Sequence, residues 1–385
     1  MDEIMEELLV SETPWEVFKD NYYLAQDIRL ICFDNNSNNL GSDFMKQDIE
    51  KYVVQSFSNM ENTLLIDKYN FESYLRRIEV YRCFDFDSNI VGYLRDFLLY
   101  KRASDSFKKF LSYIKEKEVQ ISCGPYILEV VANKHEIDKN YVRESLVSFF
   151  AFDKSRTLEE FESFELETLA KDSDIENKVS QALRTIREGI ADKDLNQYYL
   201  IYCILLKMYE INFKSNKNSK NKMMEIIQCV NKELYAYAEQ ELFLAYLLFS
   251  KDSRVNSFFG AIQANSKNVI SKIRGMAWDL FHLRSLESQV ADRNSNTKQM
   301  YMHYFCSRDN GINDILSLNP IKRMIIKDGR CYPLHEQNIF QTEFGDAIYE
   351  SLNEYKRFRK DNSKNAKLFK VASRYEQSLI NQLGK

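Results

Sequence analysis

Four carboxylates in this chain stand where they could share a hard divalent cation. Asp87 closes the run Phe84-Asp85-Phe86-Asp87, and Glu129 lies in Pro125-Tyr126-Ile127-Leu128-Glu129. Asp279 lies in Ala277-Trp278-Asp279-Leu280-Phe281-His282, and Asp309 follows Phe305-Cys306-Ser307-Arg308. Asp87 and Asp309 end short β-like runs, whereas Glu129 and Asp279 sit on apolar, helix-periodic stretches. Carboxylates at strand ends and on adjoining helices can converge on Mg²⁺ or Mn²⁺, which take a few carboxylates plus water and phosphate oxygens. Such ions lower the pKa of a bound water and neutralise charge on phosphorus, which is what phosphodiester hydrolysis needs. Asn89 is placed to hydrogen-bond the first carboxylate, and Ser307 to orient Asp309. Arg284, Arg308 and His282 are the nearby groups that could touch phosphate.

Each of these residues also has a plainer reading. Asp87 precedes a helix, and Asp is a favoured N-cap. Glu129 could be a solvent-facing helix acid, and Asp309 in Arg308-Asp309-Asn310-Gly311 could simply start a turn. Asp279 in an apolar helix demands a partner, with Arg274 or Arg284 as salt-bridge candidates. Asp34, after Ile31-Cys32-Phe33, is a rival first acid.

The elements that must position these groups follow from composition and pattern. The chain has 385 residues, with 44% hydrophobic and 14% aromatic side chains, and only 10 Gly and 4 Pro. Few breakers over that length predict long helices and short turns. Residues 1–77 read as a helical amino-terminal segment, with Thr13 and Pro14 as a helix start and 34–42 as a loop. Residues 79–87 read as a strand, followed by helices from Ile90 and Ser104. A short strand at 119–122 leads to Gly124-Pro125 and a helix. Residues 140–255 read as helical, with a solvated Lys/Asn loop at 214–222 carrying Lys214, Lys217, Lys220 and Lys222. A helix follows from Ser257 to about Glu287, interrupted at Gly275. Residues 302–306 read as a strand, and a hairpin turns at Asp328-Gly329. The last residues, 336–385, read as a basic helical tail.

The order of the acids resembles that of PIN-type nuclease domains, over roughly 80–335. Asp87-Ser88-Asn89 matches the first acid and its Asn, and Glu129 the helix acid after the second strand. Asp279-Leu280-Phe281-His282 matches the third acid, and Ser307-Arg308-Asp309 the fourth. The resemblance implies an α/β fold: a PIN-like core with a parallel sheet flanked by helices, formed by 78–139 and 256–335. The interval 140–255 would then be a helical insertion. It implies a metal-dependent ribonuclease with Mg²⁺ or Mn²⁺ on Asp87, Glu129, Asp279 and Asp309. It further implies an RNA substrate and, for stand-alone bacterial members, toxin or phage-defence roles. An inhibitor or regulatory protein and a homo-oligomer are further partner expectations. Lys214, Lys217, Lys220, Lys222, Arg284 and Arg308 are the candidate nucleic-acid contacts. The alternatives are a catalytically inactive nucleic-acid- or partner-binding protein on the same fold, and a helical interaction scaffold in which the acids never meet.

Charge and cysteine usage narrow the setting. A net charge of −4 leaves no global basic field, so a nucleic acid would need a local patch. Seven cysteines, none in a Cys-x-x-Cys pair, read as buried thiols in a reduced compartment. The four His do not pair with Cys at ligand spacing, so no zinc site is expected. The amino terminus lacks a charged-then-apolar signal pattern, and no apolar run is long enough to span a membrane. The expected location is the cytoplasm.

Overall fold

The computed structural model describes residues 3–34, 46–58, 63–72, 80–117, 119–132, 140–169, 171–189, 192–214, 217–260, 262–294, 299–362 and 367–384. The fold is mixed α/β and predominantly helical, with parallel and antiparallel strand pairs. No described helix is long and apolar enough to cross a membrane. The chain divides into two compact units. The first comprises Met1–Ile190, Arg284–Asp309 and Asn319–Glu336; the second comprises Ala191–Leu283, Asn310–Leu318 and Gln337–Lys385.

All strands described belong to the first unit. They are β1 (Arg29–Cys32), β2 (Lys46–Ile49), β3 (Tyr52–Ser56), β4 (Leu64–Ile66), β5 (Val80–Phe86), β6 (Gln120–Ser122), β7 (Met300–Ser307), β8 (Ile321–Lys327) and β9 (Arg330–His335). One sheet has the order β2-β3-β7-β5-β6, with β5 parallel to both β6 and β7, and β3 antiparallel to β7. Val80–Phe86 and Met300–Ser307 are rich in aromatic and sulfur-bearing side chains that suit a strand covered on both faces. Their register pairs Cys83 with His303 and Phe86 with Cys306.

Alternation along β5 separates two faces. On one, Phe86 meets Phe110, Phe149 and Phe152 from the helices Asp105–Glu116 and Asn140–Lys154. Burying an aromatic of that kind contributes about 1.5–3 kcal/mol. The other face carries Cys83 and Asp85 of β5 and His303 of β7. Arg293, on the helix Val269–Asn294, approaches it with Nη1 3.4 Å from Cys83 Sγ.

The chain moves from β5 to β6 on one side and returns to β7 on the other. The carboxyl ends of β5 and β7 therefore form a point where the connections diverge. That is where open α/β sheets collect ligands.

The second sheet, β4-β1-β8-β9, is antiparallel throughout. It corrects the helical reading of 1–77, because β1 to β4 fall inside that segment. Arg29–Cys32 and Leu64–Ile66 are short, wholly buried runs, and periodicity cannot distinguish such runs from helix. Helices Glu3–Val10 and Pro14–Asp20 do form, and Leu8 and Phe18 pack with Leu30, Ile66 and Ile325. The predicted hairpin forms between β8 and β9, with Asp328 at φ 51° and Gly329 at φ 67°. Paired left-handed residues are what a two-residue turn requires.

The second unit is helical among its described residues. Asp192–Lys214 packs with Leu368–Leu383, where Tyr202 Oη donates to Glu376 Oε1 at 2.5 Å. The basic tail is thus part of this unit's core, with Leu368, Ala372, Tyr375 and Leu379 buried. The expected insertion is not one body: Asn140–Lys154 and Ser173–Glu188 belong to the first unit. The helix expected from Ser257 and broken at Gly275 instead runs unbroken from Val269 to Asn294. The nine strands among the described residues show that the fold is not all-helical.

Candidate functional site

Asp87 follows β5 directly, and its N–H donates to Cys306 O at 3.0 Å, which fixes it against the end of β7. Its carbonyl accepts from Ile90 N and Val91 N, so its backbone starts the helix Ser88–Tyr100. Its side chain makes no capping hydrogen bond. Oδ2 instead accepts from Ser307 Oγ at 3.0 Å and from Asn89 Nδ2 at 3.3 Å. An acid needed only as a cap would turn to the helix N–H groups. Asp87 is turned to the parallel-strand junction.

Asp87 is 6% exposed. Burial pushes its carboxyl up to about 6, against the lowering effect of the Ser307 and Asn89 hydrogen bonds; the Glu129 charge raises it further, and the Ser88 N–H lowers it. Glu129 lies on Gly124–Ala132, the helix that follows β6, and is half-buried. Ser307 Oγ also accepts the Asp309 N–H at 2.9 Å, holding the turn after β7. Asp309 and Arg308 are exposed. Asp87 and Asp309 thus follow the carboxyl ends of the parallel strands β5 and β7, and Glu129 lies on the helix that follows the neighbouring parallel strand β6.

Those three acids do not reach mutual contact. Among the described residues, only Cys83, Asp85 and His303 bring three potential ligand atoms within 4.8 Å of one another. Asp279 is half-buried on Val269–Asn294 and belongs to the second unit.

Several expected phosphate contacts are otherwise engaged. His282 is 3% exposed, packs against Trp278 and Phe281, and has an unpartnered Nε2. Burial lowers its pKa to about 4, so it is a neutral imidazole. Arg284 is ion-paired with Glu287 at 2.8 Å, both side chains being largely covered. The Lys/Asn stretch is not a free loop, because the helix Ser219–Cys229 begins within it, capped by Asn218. Lys217 pairs with Glu225 at 2.9 Å. Lys222 is buried, donates to Asn212 Oδ1 at 3.1 Å, and lies over the Phe249 ring. Lys214 and Lys220 are exposed. The rival acid Asp34 is held by Arg323, Nε–Oδ1 3.0 Å and Nη2–Oδ2 3.1 Å, as a structural ion pair.

Sequence reasoning missed the trio beneath Asp87. His303 Nδ1 lies 2.7 Å from Asp85 Oδ2, although the two are 218 positions apart. Local ligand spacing cannot find a pair assembled across neighbouring strands. The available signal was Cys83, Asp85 and Asp87 alternating on one face of a strand otherwise filled with aromatics. No family model matches the chain, and neither a curated protein nor a solved structure matches it.

Proposed function

We propose that this protein is a metal-dependent phosphodiesterase acting on RNA, with Asp87 as its central carboxylate. The observation that carries this reading is the position of Asp87. Its backbone begins the helix, but its buried carboxylate makes no capping hydrogen bond, lies at the diverging carboxyl ends of β5 and β7, and feels the Glu129 charge. The donor set is built from oxygen, which suits Mg²⁺ or Mn²⁺ completed by waters and a substrate phosphate. When bound, such an ion supplies an activated water and neutralises charge on phosphorus. Asp87 would hold it, with Glu129 and Asp309 as the flanking acids. Asn89 and Ser307 fix the Asp87 carboxylate, and Ser307 also fixes the backbone that presents Asp309. Exposed Arg308, next to Ser307 in the chain, is a cation available to a phosphate at this edge. The order of acids similar to PIN-type nucleases supports RNA and a toxin or defence-effector role.

The test is cleavage of labelled RNA and DNA with Mn²⁺ or Mg²⁺, by wild type and by Asp87→Asn, Glu129→Gln and Asp309→Asn. Metal-dependent cleavage of RNA by wild type, lost in Asp87→Asn while the fold persists, supports the reading. Asp279→Asn asks whether the acid of the second unit takes part; full activity in that variant removes it from the site. A second reading is favoured by the separation of the acids: a nucleic-acid- or partner-binding protein that performs no chemistry. RNA binding without turnover at any metal concentration would establish it.

A further inference from the structure

We infer that Cys83, Asp85 and His303 form a buried site for a thiophilic divalent transition metal, Zn²⁺ by donor chemistry, separate from the Asp87 edge. The three side chains lie on one face of the parallel β5–β7 pair. Register sets Cys83 opposite His303, and Asp85 follows two residues on. Cys83 is 1% exposed, and Asp85 and His303 are 0% exposed. One sulfur, one imidazole nitrogen and one carboxylate oxygen lie within 4.8 Å of one another.

Two further polar atoms of this cluster lie outside the His303–Asp85 contact. Asp85 Oδ1 and His303 Nε2 are buried without a hydrogen-bond partner. Interiors rarely retain such atoms, and they mark the cluster as polar space that the protein's own groups do not fill. A carboxylate and an imidazole already in contact, with a thiol beside them, suit a borderline-soft ion and not Mg²⁺ or Ca²⁺, which take oxygen alone.

The geometry needs little adjustment. Nitrogen and oxygen ligands on one tetrahedral Zn²⁺ sit about 3.3 Å apart, given bonds near 2.0 Å. His303 Nδ1 and Asp85 Oδ2 stand at 2.7 Å in a hydrogen bond, so the ion would replace that bond and part the two atoms by about 0.6 Å. Binding forms the metal–sulfur bond and releases the Cys83 thiol proton to solvent. Arg293 Nη1, 3.4 Å from the sulfur and from Gln120 Oε1, is placed to support the thiolate. The trio supplies three of four coordination positions. Its consequence is structural: it would clamp β5 to β7 just below the strand ends that carry Asp87 and Ser307.

Because the cluster is sealed, the ion must enter during folding. The intact chain is therefore unfolded with a chelator and refolded with Co²⁺ alone as a spectroscopic probe, and zinc is measured in the chain as purified. The expected result is about one metal per chain and a thiolate-to-cobalt charge-transfer band in the near ultraviolet. Cys83→Ser should abolish that band, and Cys331→Ser should leave it. Asp87→Asn should also leave it, which separates this site from the proposed catalytic edge. A serine in this interior position risks unfolding the chain, so His303→Gln is measured alongside. It should lower cobalt affinity at least tenfold and shift the visible bands. Refolded wild type without the band overturns the inference, as does a band that survives in Cys83→Ser or an unchanged spectrum in His303→Gln.

Discussion

The Ser307 hydroxyl donates to Asp87 Oδ2 over 3.0 Å while accepting the Asp309 N–H over 2.9 Å, so one side chain ties the ends of β5 and β7 to the turn beyond them. Ser307→Ala removes both bonds at once and leaves a buried carboxylate oxygen with less support. The expected cost is about 1–3 kcal/mol of stability, the usual penalty for depriving a buried polar group of its partner. Any metal-dependent cleavage should fall with it, because Asp309 loses its backbone restraint. Ser307→Thr retains the hydroxyl and should recover part of both. Denaturant unfolding of the three proteins checks the first claim, and turnover checks the second. Equal stability of the Ala variant and wild type would show that the bridge contributes nothing.

A second expectation concerns pH. Asp87 is raised to about 6 from an ordinary 3.8, first by burial. Between those values the folded chain holds a proton that the unfolded chain has released. Stability from this group is therefore present at low pH and falls as pH rises through the window, reaching its full penalty above about pH 6. One unit is worth about 1.4 kcal/mol, so the upper bound is roughly 3 kcal/mol. Asp87→Asn keeps the volume and removes the charge. It should raise the thermal midpoint at pH 8 and change it little at pH 4. A midpoint difference independent of pH between 4 and 8 would contradict the assignment.

Divalent ions should act in the opposite direction on the wild type. A cation held by Asp87, Glu129 and Asp309 offsets the cost of the buried charge and stabilises the folded state by mass action, by about 2.7 kcal/mol at a hundredfold excess over Kd. Asp87→Ala combined with Asp309→Ala should abolish the thermal shift produced by Mg²⁺ or Mn²⁺. An undiminished shift in the double variant would move the metal elsewhere.

Local pattern made much of this edge legible. The aromatic run before Asp87, the Gly124-Pro125 helix start and the strand before Ser307 were readable because each is a contiguous signal. The Asp328-Gly329 turn was readable because its residue types tolerate positive φ. What the sequence hid was assembly. β1 and β4 are short buried runs whose partners lie far away in sequence. The neutral state of His282 and the Arg284–Glu287 pair depend on neighbours that no spacing rule names. The Cys83–Asp85–His303 cluster exists only once β5 and β7 lie side by side.

The lysines around 214–222 give the last test, and the structure narrows it to two of the four. As a mobile tip, all four would have been free to track a phosphate backbone. Lys217 is instead paired with Glu225, and Lys222 is buried over Phe249 with its amine on Asn212. Burial also lowers the Lys222 pKa, the sign of an amine withdrawn from water. Replacing Lys214 and Lys220 by Ser should leave the salt dependence of RNA binding within experimental error. Each lysine that neutralises a phosphate steepens that slope by about 0.7–0.9, so its removal is readily measured. Lys222→Ser should behave differently from the other two. It removes a buried stem and its hydrogen bond, and should cost about 1–2 kcal/mol of stability without altering the slope. A slope that flattens by about two such increments in the Lys214→Ser, Lys220→Ser double variant would assign this stretch to nucleic-acid binding and overturn the expectation.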